Sequence, residues 1–335
     1  MDLSFGVDSK ADLIKKLPFG SFNLLNAEFS GYPHLDKNLV LNSNIARLTN
    51  LLSHADTHCC CVNIPSGDIE GFLILKSQNF DSHMLGLKVY QITDFGLSKN
   101  CGNLIDVIDL LLVGMKQLVS DLKIEYLFHS CDTNHLLSSL IVNQLCCRGF
   151  YYLGTLLKFS ISKKNQDSFH LVSDSSHGSN LSIRDAVQDD LGAIAKLAKD
   201  SYKMDRFHLD PNLPQKRCDL LFEQSTINSL TEGLADILYI AEVNGKVAGY
   251  LSARRRFDST MGFYVGEGMI SAVDPTYRGL GIFTKLSNKM WEWFLRNAEF
   301  GESGTYINNL PVHKAWTNNT LTMVRGHHQM ACYFK

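Results

Sequence analysis

Phe263-Tyr264-Val265-Gly266-Glu267-Gly268-Met269-Ile270-Ser271-Ala272-Val273 runs directly into Asp274-Pro275-Thr276-Tyr277-Arg278-Gly279-Leu280-Gly281-Ile282-Phe283, and this junction decides the fold. The first stretch reads as a strand. The run 281–298 is amphipathic, with Ile282, Leu286, Met290 and Trp293 at helical spacing on one face. A strand therefore feeds a glycine-rich turn, and the turn opens a helix. In such a turn several backbone N–H groups converge, and the helix N-terminus adds partial positive charge. This is a seat for a pyrophosphate. Gly279 and Gly281 lack a Cβ, so a ligand can approach the backbone, and Arg278 stands where a phosphate oxygen would be met.

The turn lacks the terminal Gly-Lys-Ser/Thr of a P-loop, and it lacks the third glycine and later acidic residue of a dinucleotide fingerprint. Its spelling, Arg278-Gly279-Leu280-Gly281-Ile282-Phe283 after Val273-Asp274-Pro275, resembles the coenzyme A-binding turn of the GNAT superfamily of acyl-CoA-dependent N-acyltransferases. That pattern ends in Gly or Ala where this chain has Phe283. The resemblance implies acetyl-CoA as co-substrate. It implies a seat made by Ile270, Ser271, Ala272 and Val273 along the strand, by Arg278, Gly279, Leu280, Gly281, Ile282 and Phe283 in the turn, and by Asn309 beyond it.

The chain has 335 residues, 45% hydrophobic and 20% charged, with a formal net charge of −2. This describes a globular protein with two domains and no basic surface for nucleic acid. No apolar run reaches a membrane span, and Met1-Asp2-Leu3-Ser4 does not begin a signal peptide. Nine cysteines, three of them consecutive (Cys59, Cys60, Cys61) and two adjacent (Cys146, Cys147), fit neither a disulfide framework nor zinc spacing. They read as reduced thiols in a cytoplasmic protein without a metal. His327-His328 lacks further ligands at metal spacing.

Two halves share one plan. In the first, strands at 59–64 and 70–75 flank a turn, and a strand to 92 follows. A helix over 103–122, a strand over 124–128, a helix over 134–147 and a strand over 151–161 complete it. In the second, a strand at 183–186 enters a helix over 189–199. Strands at 237–243 and 247–254 are joined by Asn244-Gly245-Lys246, a turn that tolerates positive φ. The junction strand, its helix, a strand at 304–307, a short helix at 309–316 and a strand over 321–334 follow. We therefore expect an α/β fold with mixed α+β sheets, built as two tandem GNAT-like domains. The expected boundaries are 1–165 for a degenerate domain without a coenzyme seat, 166–179 for a polar linker, and 180–335 for the acyltransferase domain. Only the second half carries the turn. Its counterpart, Asp94-Phe95-Gly96-Leu97-Ser98-Lys99-Asn100-Cys101-Gly102, has no Arg-x-x-Gly-x.

Three further stretches resemble the dTDP-fucosamine acetyltransferase group: Phe80-Asp81-Ser82-His83-Met84-Leu85-Gly86, Ser201-Tyr202 through Asp205-Arg206-Phe207-His208-Leu209-Asp210-Pro211, and Ile307-Asn308-Asn309-Leu310-Pro311-Val312-His313-Lys314-Ala315-Trp316. The implied activity is direct attack of an amine on the thioester. The acceptor would be a small amine such as an amino sugar on a nucleotide, with Arg206, His208 and Asp210 as substrate contacts. Superfamily members carry a tyrosine that protonates the leaving thiolate, and Trp316 occupies its position. Indole N–H is no useful acid, so Tyr306, His313 or a water is the candidate acid. Glu267 is the candidate base, on one strand face with Met269, Ser271 and Val273 by period-two alternation, and the flanking Gly266 and Gly268 suggest a bulge or a close approach there. Asp274 caps the turn, and Arg254-Arg255-Arg256 reads as a solvated charge run. Another acyl donor or a peptide amine remains open, as do a catalytically weak binding or regulatory protein and a homodimer.

Overall fold

The computed structural model describes residues 4–6, 19–164 and 180–334. In chain order the elements are β1 (Ser4–Gly6), β2 (Phe22–Leu24), α1 (Lys37–Ser53), β3 (Thr57–Asn63), β4 (Ile69–Ser77), α2 (Asn79–Leu85), β5 (Val89–Ser98), α3 (Leu104–Leu122), β6 (Tyr126–Asp132), α4 (Ser138–Cys146) and β7 (Tyr151–Ser162). There follow β8 (Leu181–Asp185), α5 (Leu191–Ser201), α6 (Gln215–Thr231), β9 (Ile237–Val243), β10 (Lys246–Asp258), β11 (Phe263–Val273), α7 (Ile282–Asn297), β12 (Phe300–Tyr306), α8 (Leu310–Asn318) and β13 (Thr322–Tyr333).

Two compact units result: Met1–Thr155 with Arg325–Lys335, and Leu156–Val324. The chain passes from the first to the second inside β7 and returns inside β13. The division therefore does not coincide with the expected linker over 166–179, which lies outside the described residues. The physical reason is ladder pairing. The later residues of β7 bond β12 in the second unit, Leu156 against Tyr306 through Ser162 against Phe300, and β13 bonds β6 in the first, His327 against Asp132 through Tyr333 against Tyr126. Each half thus gives its last strand to the other half's sheet.

In the first unit β3, β4 and β5 are antiparallel neighbours, and β5 runs parallel to β6. Helix α3 covers this sheet because Val107, Ile108, Leu111, Leu112, Met115, Leu118 and Val119 fall on one buried face. Each such side chain contributes about 1.5–3 kcal/mol on burial, which outweighs the single cap that Asn103 provides at the N-terminus. The cysteine triplet lies in β3 and packs there, and burial pushes the Cys60 thiol up to about 12.

The second unit repeats the plan. β8, β9, β10 and β11 form an antiparallel meander, and β11 runs parallel to β12. One face of this sheet is covered by α7 and α8, with Ala253, Leu251, Ile282, Leu286, Met290, Trp291, Phe294 and Trp316 in one cluster. The other is covered by α5 and α6, where Ile194, Leu197 and Ala198 meet Tyr250, Ile240 and Ala272.

The parallel pair is held at one tight spot. A Cβ on Gly266 would lie 2.2 Å from the Phe294 ring, and one on Gly301 would lie 2.1 Å from it. The glycines admit the ring, and the ring clamps the strands. Gly301→Ala is expected to lose about 1–3 kcal/mol by overpacking, and Phe294→Leu in the same chain is expected to recover part of it. Urea unfolding measures both; a Gly301→Ala protein as stable as the parent would contradict the packing.

Candidate active site

The strands β11 and β12 pair only over Val265–Phe300, Gly266–Gly301 and Glu267–Glu302, and then part. Past this vertex β12 stays on β7, while β11 stays on β10. A wedge opens between them. Just past the vertex β11 carries a bulge, where Ser252 opposes both Met269 and Ile270. The Ser252 hydroxyl accepts from the Ile270 N–H and donates to the Ile270 carbonyl, both at 3.3 Å. The Asp274 N–H bonds the Ala248 carbonyl on the same side. Backbone groups alternate along a strand, so Ile270, Ala272 and Asp274 address β10, whereas Ser271 and Val273 address the wedge. The Tyr202 hydroxyl donates to the Ser271 carbonyl at 2.8 Å. Burial pushes that phenol well above its ordinary value, so it keeps its proton and donates.

The wedge ends at the glycine turn. Asp274 accepts from the Thr276 N–H and hydroxyl, which holds its carboxyl below the ordinary range and closes a short 3-10 turn at Pro275–Tyr277. Gly279 and Gly281 adopt φ of 85° and 72°, a left-handed backbone that favours glycine. Gly281 opens α7 with no side-chain cap, so the first-turn N–H groups stay available. Arg278 is exposed; its backbone N–H bonds the Pro275 carbonyl, and no hydrogen bond or ion pair among the described residues engages its guanidinium. The strand segment 270–273, the turn 278–281 and Ile282 are thus contiguous along one rim.

Phe283 turns its ring into the core instead, 6.1 Å from the Trp316 ring. Trp316 is buried against Phe159 and Trp291. Its indole N–H and that of Trp291 both donate to the Ser287 hydroxyl at 2.9 Å. The two departures from the GNAT pattern therefore pack together, and Trp316 presents no proton to the wedge.

Glu267 requires a correction. Its register partner is Arg254 while Ala272 pairs with Tyr250, and these two β10 residues share a face. The bulge inserts one residue, so Glu267 faces the α5–α6 side with Ala272 and not with Ser271 and Val273. Its oxygens are engaged by Arg254 at 2.8 Å and Arg256 at 3.1 Å. The arginine run is accordingly not merely solvated, and Arg255 lies over the Tyr264 ring at 4.7 Å. Beside Glu267 in register, Glu302 is buried and bonds Lys158 at 3.1 Å.

At the far lip, Asn309 donates to the Thr305 hydroxyl at 3.0 Å. The Tyr306 carbonyl receives the Asn309 N–H at 2.9 Å and His313 Nε2 at 3.0 Å. A carbonyl only accepts, so Nε2 carries a hydrogen, and in the neutral ring Nδ1 is the acceptor. Among the described residues no hydrogen bond engages Nδ1.

His208 and Asp210 are buried within their own loop. His208 is clamped between Asp205 on Nδ1 and Asp219 on Nε2 at 3.1 Å, with a side chain only 1% exposed. Burial alone would lower its pKa, but hydrogen bonds and charge from Asp205, with Asp219 adding to them, raise it overall. Asp210 accepts from the Asn212 N–H at 2.9 Å and side chain at 3.2 Å. Arg206 lies over the Phe207 ring at 4.4 Å. These residues build the loop, and neither buried carboxylate nor imidazole is presented to a ligand. Ser252 and Ser287 carried no signal in the sequence, and Tyr202 stood in a quoted stretch without a role, since a lone Ser or Tyr in a strand or helix carries no spacing signal.

The first unit has the same wedge, filled. β5 and β6 pair from Val89–Tyr126 to Ile92–His129 and then part. β2 pairs with β5 there, Phe22 against Ser98 through Leu24 against Gly96, and the Leu25 N–H bonds the Phe95 carbonyl. Asn26 spans the gap, donating to the Thr93 carbonyl at 2.7 Å and accepting from the Asp132 N–H at 3.4 Å. Where the second unit leaves an open strand edge, the first supplies its own chain.

Residues 196–317 match the family model described as acetyltransferase (GNAT) family. A spore coat polysaccharide biosynthesis protein, SpsD of Bacillus subtilis (strain 168), is 27% identical over 161 residues, covering 48% of this chain and 50% of that protein. The chain thus matches half the length of this curated relative. Among solved structures, a GCN5-related N-acetyltransferase from Sphaerobacter thermophilus superposes with a TM-score of 0.61 at 10% identity over 99% of this chain and 95% of that one. A tandem GNAT protein from the clavulanic acid biosynthesis pathway gives 0.55 at 12% identity over 99% and 98%. The chain has the tandem GNAT fold, an α/β architecture with mixed sheets, and its second unit carries the acetyltransferase family match. No described helix is long and apolar enough to cross a membrane, and no group of three or more His, Cys, Asp or Glu among the described residues could hold a metal.

A raised histidine pKa contributes stability that is full below the unfolded value of about 6.5 and fades as pH rises through the folded value. His208→Gln is therefore expected to destabilise most near pH 6 and progressively less toward pH 9. Urea midpoints across that range check it; a pH-independent difference would contradict a charged His208.

Proposed function

We propose that the chain is an acetyl-CoA-dependent N-acetyltransferase with a single coenzyme seat, in the second unit. The observation that carries this reading is the open edge of β11, which runs without interruption into an uncapped glycine turn bearing an unengaged Arg278 guanidinium. The pyrophosphate would rest on the turn and Arg278, and the pantetheine amides would pair with Ser271 and Val273. The acceptor amine would enter the wedge beside the thioester. Its nitrogen attacks the thioester carbon, the C–N bond forms, the C–S bond breaks, and the sulfur leaves as thiolate. The site supports this by holding both reactants in one geometry and by hydrogen-bonding the developing oxyanion.

The proton must travel from the ammonium to the thiolate. Of the three candidates, Glu267 is committed to two arginines and Tyr306 is buried, so we take His313 as the proton carrier. His313 keeps Nδ1 available, with its tautomer held by the Tyr306 carbonyl. It would accept the proton there and return it to sulfur. His313→Ala is expected to lower kcat about 10²-fold or more with coenzyme affinity within a few-fold. Unchanged kcat would remove His313 from the proton path.

The acceptor we propose is a small amine of the amino-sugar class. Its support is the resemblance of 201–211 and 307–316 to the sugar-nucleotide group and the partial match to a polysaccharide biosynthesis protein. A second reading, a coenzyme-binding regulatory protein without turnover, is favoured by the buried Trp316.

Thermal unfolding with acetyl-CoA tests the seat. At about 100 times the dissociation constant, ligand adds about 2.7 kcal/mol. We expect a clear rise in Tm that shrinks in Arg278→Ala, and calorimetry with one coenzyme per chain. No rise in the parent protein, or two coenzymes per chain, would contradict the reading.

A further inference from the structure

The vertex of the wedge is sealed on both sides. On the α7 side, a Cβ placed on Gly268 would lie 2.4 Å from Ser303 Oγ, 2.8 Å from Ser303 Cβ and 3.1 Å from Met290 Sδ. Two residues back, the Phe294 ring leaves no space for a methyl on Gly266 or Gly301. Not even a single carbon fits at the floor. On the α5–α6 side stand Glu267 and Glu302, in register and ion-paired to Arg254, Arg256 and Lys158. An alkyl chain laid over this cluster would strip water from five charges without replacing it.

Between the vertex and the turn, β11 runs from Gly268 to Val273 opposite Ala253 to Gly249 of β10, four ladder steps or about 13 Å at about 3.3 Å per residue, and the turn at 278–281 extends the path. This is the scale of an extended pantetheine arm. A coenzyme whose pyrophosphate rests on the turn therefore brings its thioester to the sealed vertex.

We infer that Gly268, Met290 and Ser303 set the acyl length of the donor and restrict it to acetyl. The inference rests on the coenzyme seat proposed above and goes beyond it by naming the residues that measure the acyl group. Longer chains meet Met290 Sδ and Ser303 ahead of them and fixed charge beside them.

The test is calorimetric binding of coenzyme A, acetyl-CoA, butyryl-CoA and octanoyl-CoA to the full chain. Coenzyme A and acetyl-CoA are expected to bind with similar affinity, and butyryl-CoA at least about tenfold more weakly, as for a methylene in a filled pocket. Met290→Ala is expected to bring butyryl-CoA to within a few-fold of acetyl-CoA while leaving free coenzyme A unchanged. Ser303→Gly removes the other wall atom and serves if Met290→Ala does not fold. Butyryl-CoA and octanoyl-CoA binding the parent protein as tightly as acetyl-CoA would overturn the acyl-length inference and leave the seat standing. Loss of binding by coenzyme A itself would overturn the seat, and this inference with it.

Discussion

Two parallel strands that pair for three residues and then part leave backbone N–H and C=O groups with no ladder partner. Buried, each such group costs free energy comparable to a lost hydrogen bond. The second unit enforces this parting. Phe294 draws Gly266 and Gly301 together at the vertex, and the bulge at Met269–Ile270 swings β11 away beyond it. The two units answer the same constraint differently. The first satisfies β5 with its own residues 22–26. The second satisfies one carbonyl with Tyr202, and among the described residues no strand pairs with the rest of that edge. A single architecture thus yields one self-filled wedge and one open wedge.

The proton chemistry follows from packing as much as from catalytic residues. Trp316 could not enter the core as a lone replacement, because its indole N–H needs an acceptor when buried. Ser287 provides that acceptor and serves Trp291 as well. Phe283 fills the space beside them. These residues form one unit, and under the proposed reading the proton would pass instead to His313, one turn earlier in α8, whose Nε2 is held by the Tyr306 carbonyl.

Much of this was legible in the residues. The helical period of 104–118, the Asn244-Gly245 hairpin and the strand–glycine turn–helix junction are local signals, and the elements form where they fall. Gly266 and Gly268 marked a close approach, though not the ring and side chains that make it. What stayed hidden depends on single residues acting at a distance. One inserted residue in β11 reverses the face of Glu267, and the flanking Gly266 and Gly268 suggest a bulge without fixing where the extra residue falls. The exchange of β7 and β13 depends on which edge each strand finds, and their compositions do not distinguish them. His208 looked like a ligand contact because Asp219, eleven residues on, joins Asp205 around it only after the loop folds.

Hydrogen exchange of the backbone with and without coenzyme A measures the central claim, that an extended ligand completes the edge of β11. The account predicts slowed exchange confined to 269–285 and 303–309, with 93–103 unchanged because that wedge is already filled. Protection at 93–103, or none along 269–285, would contradict it.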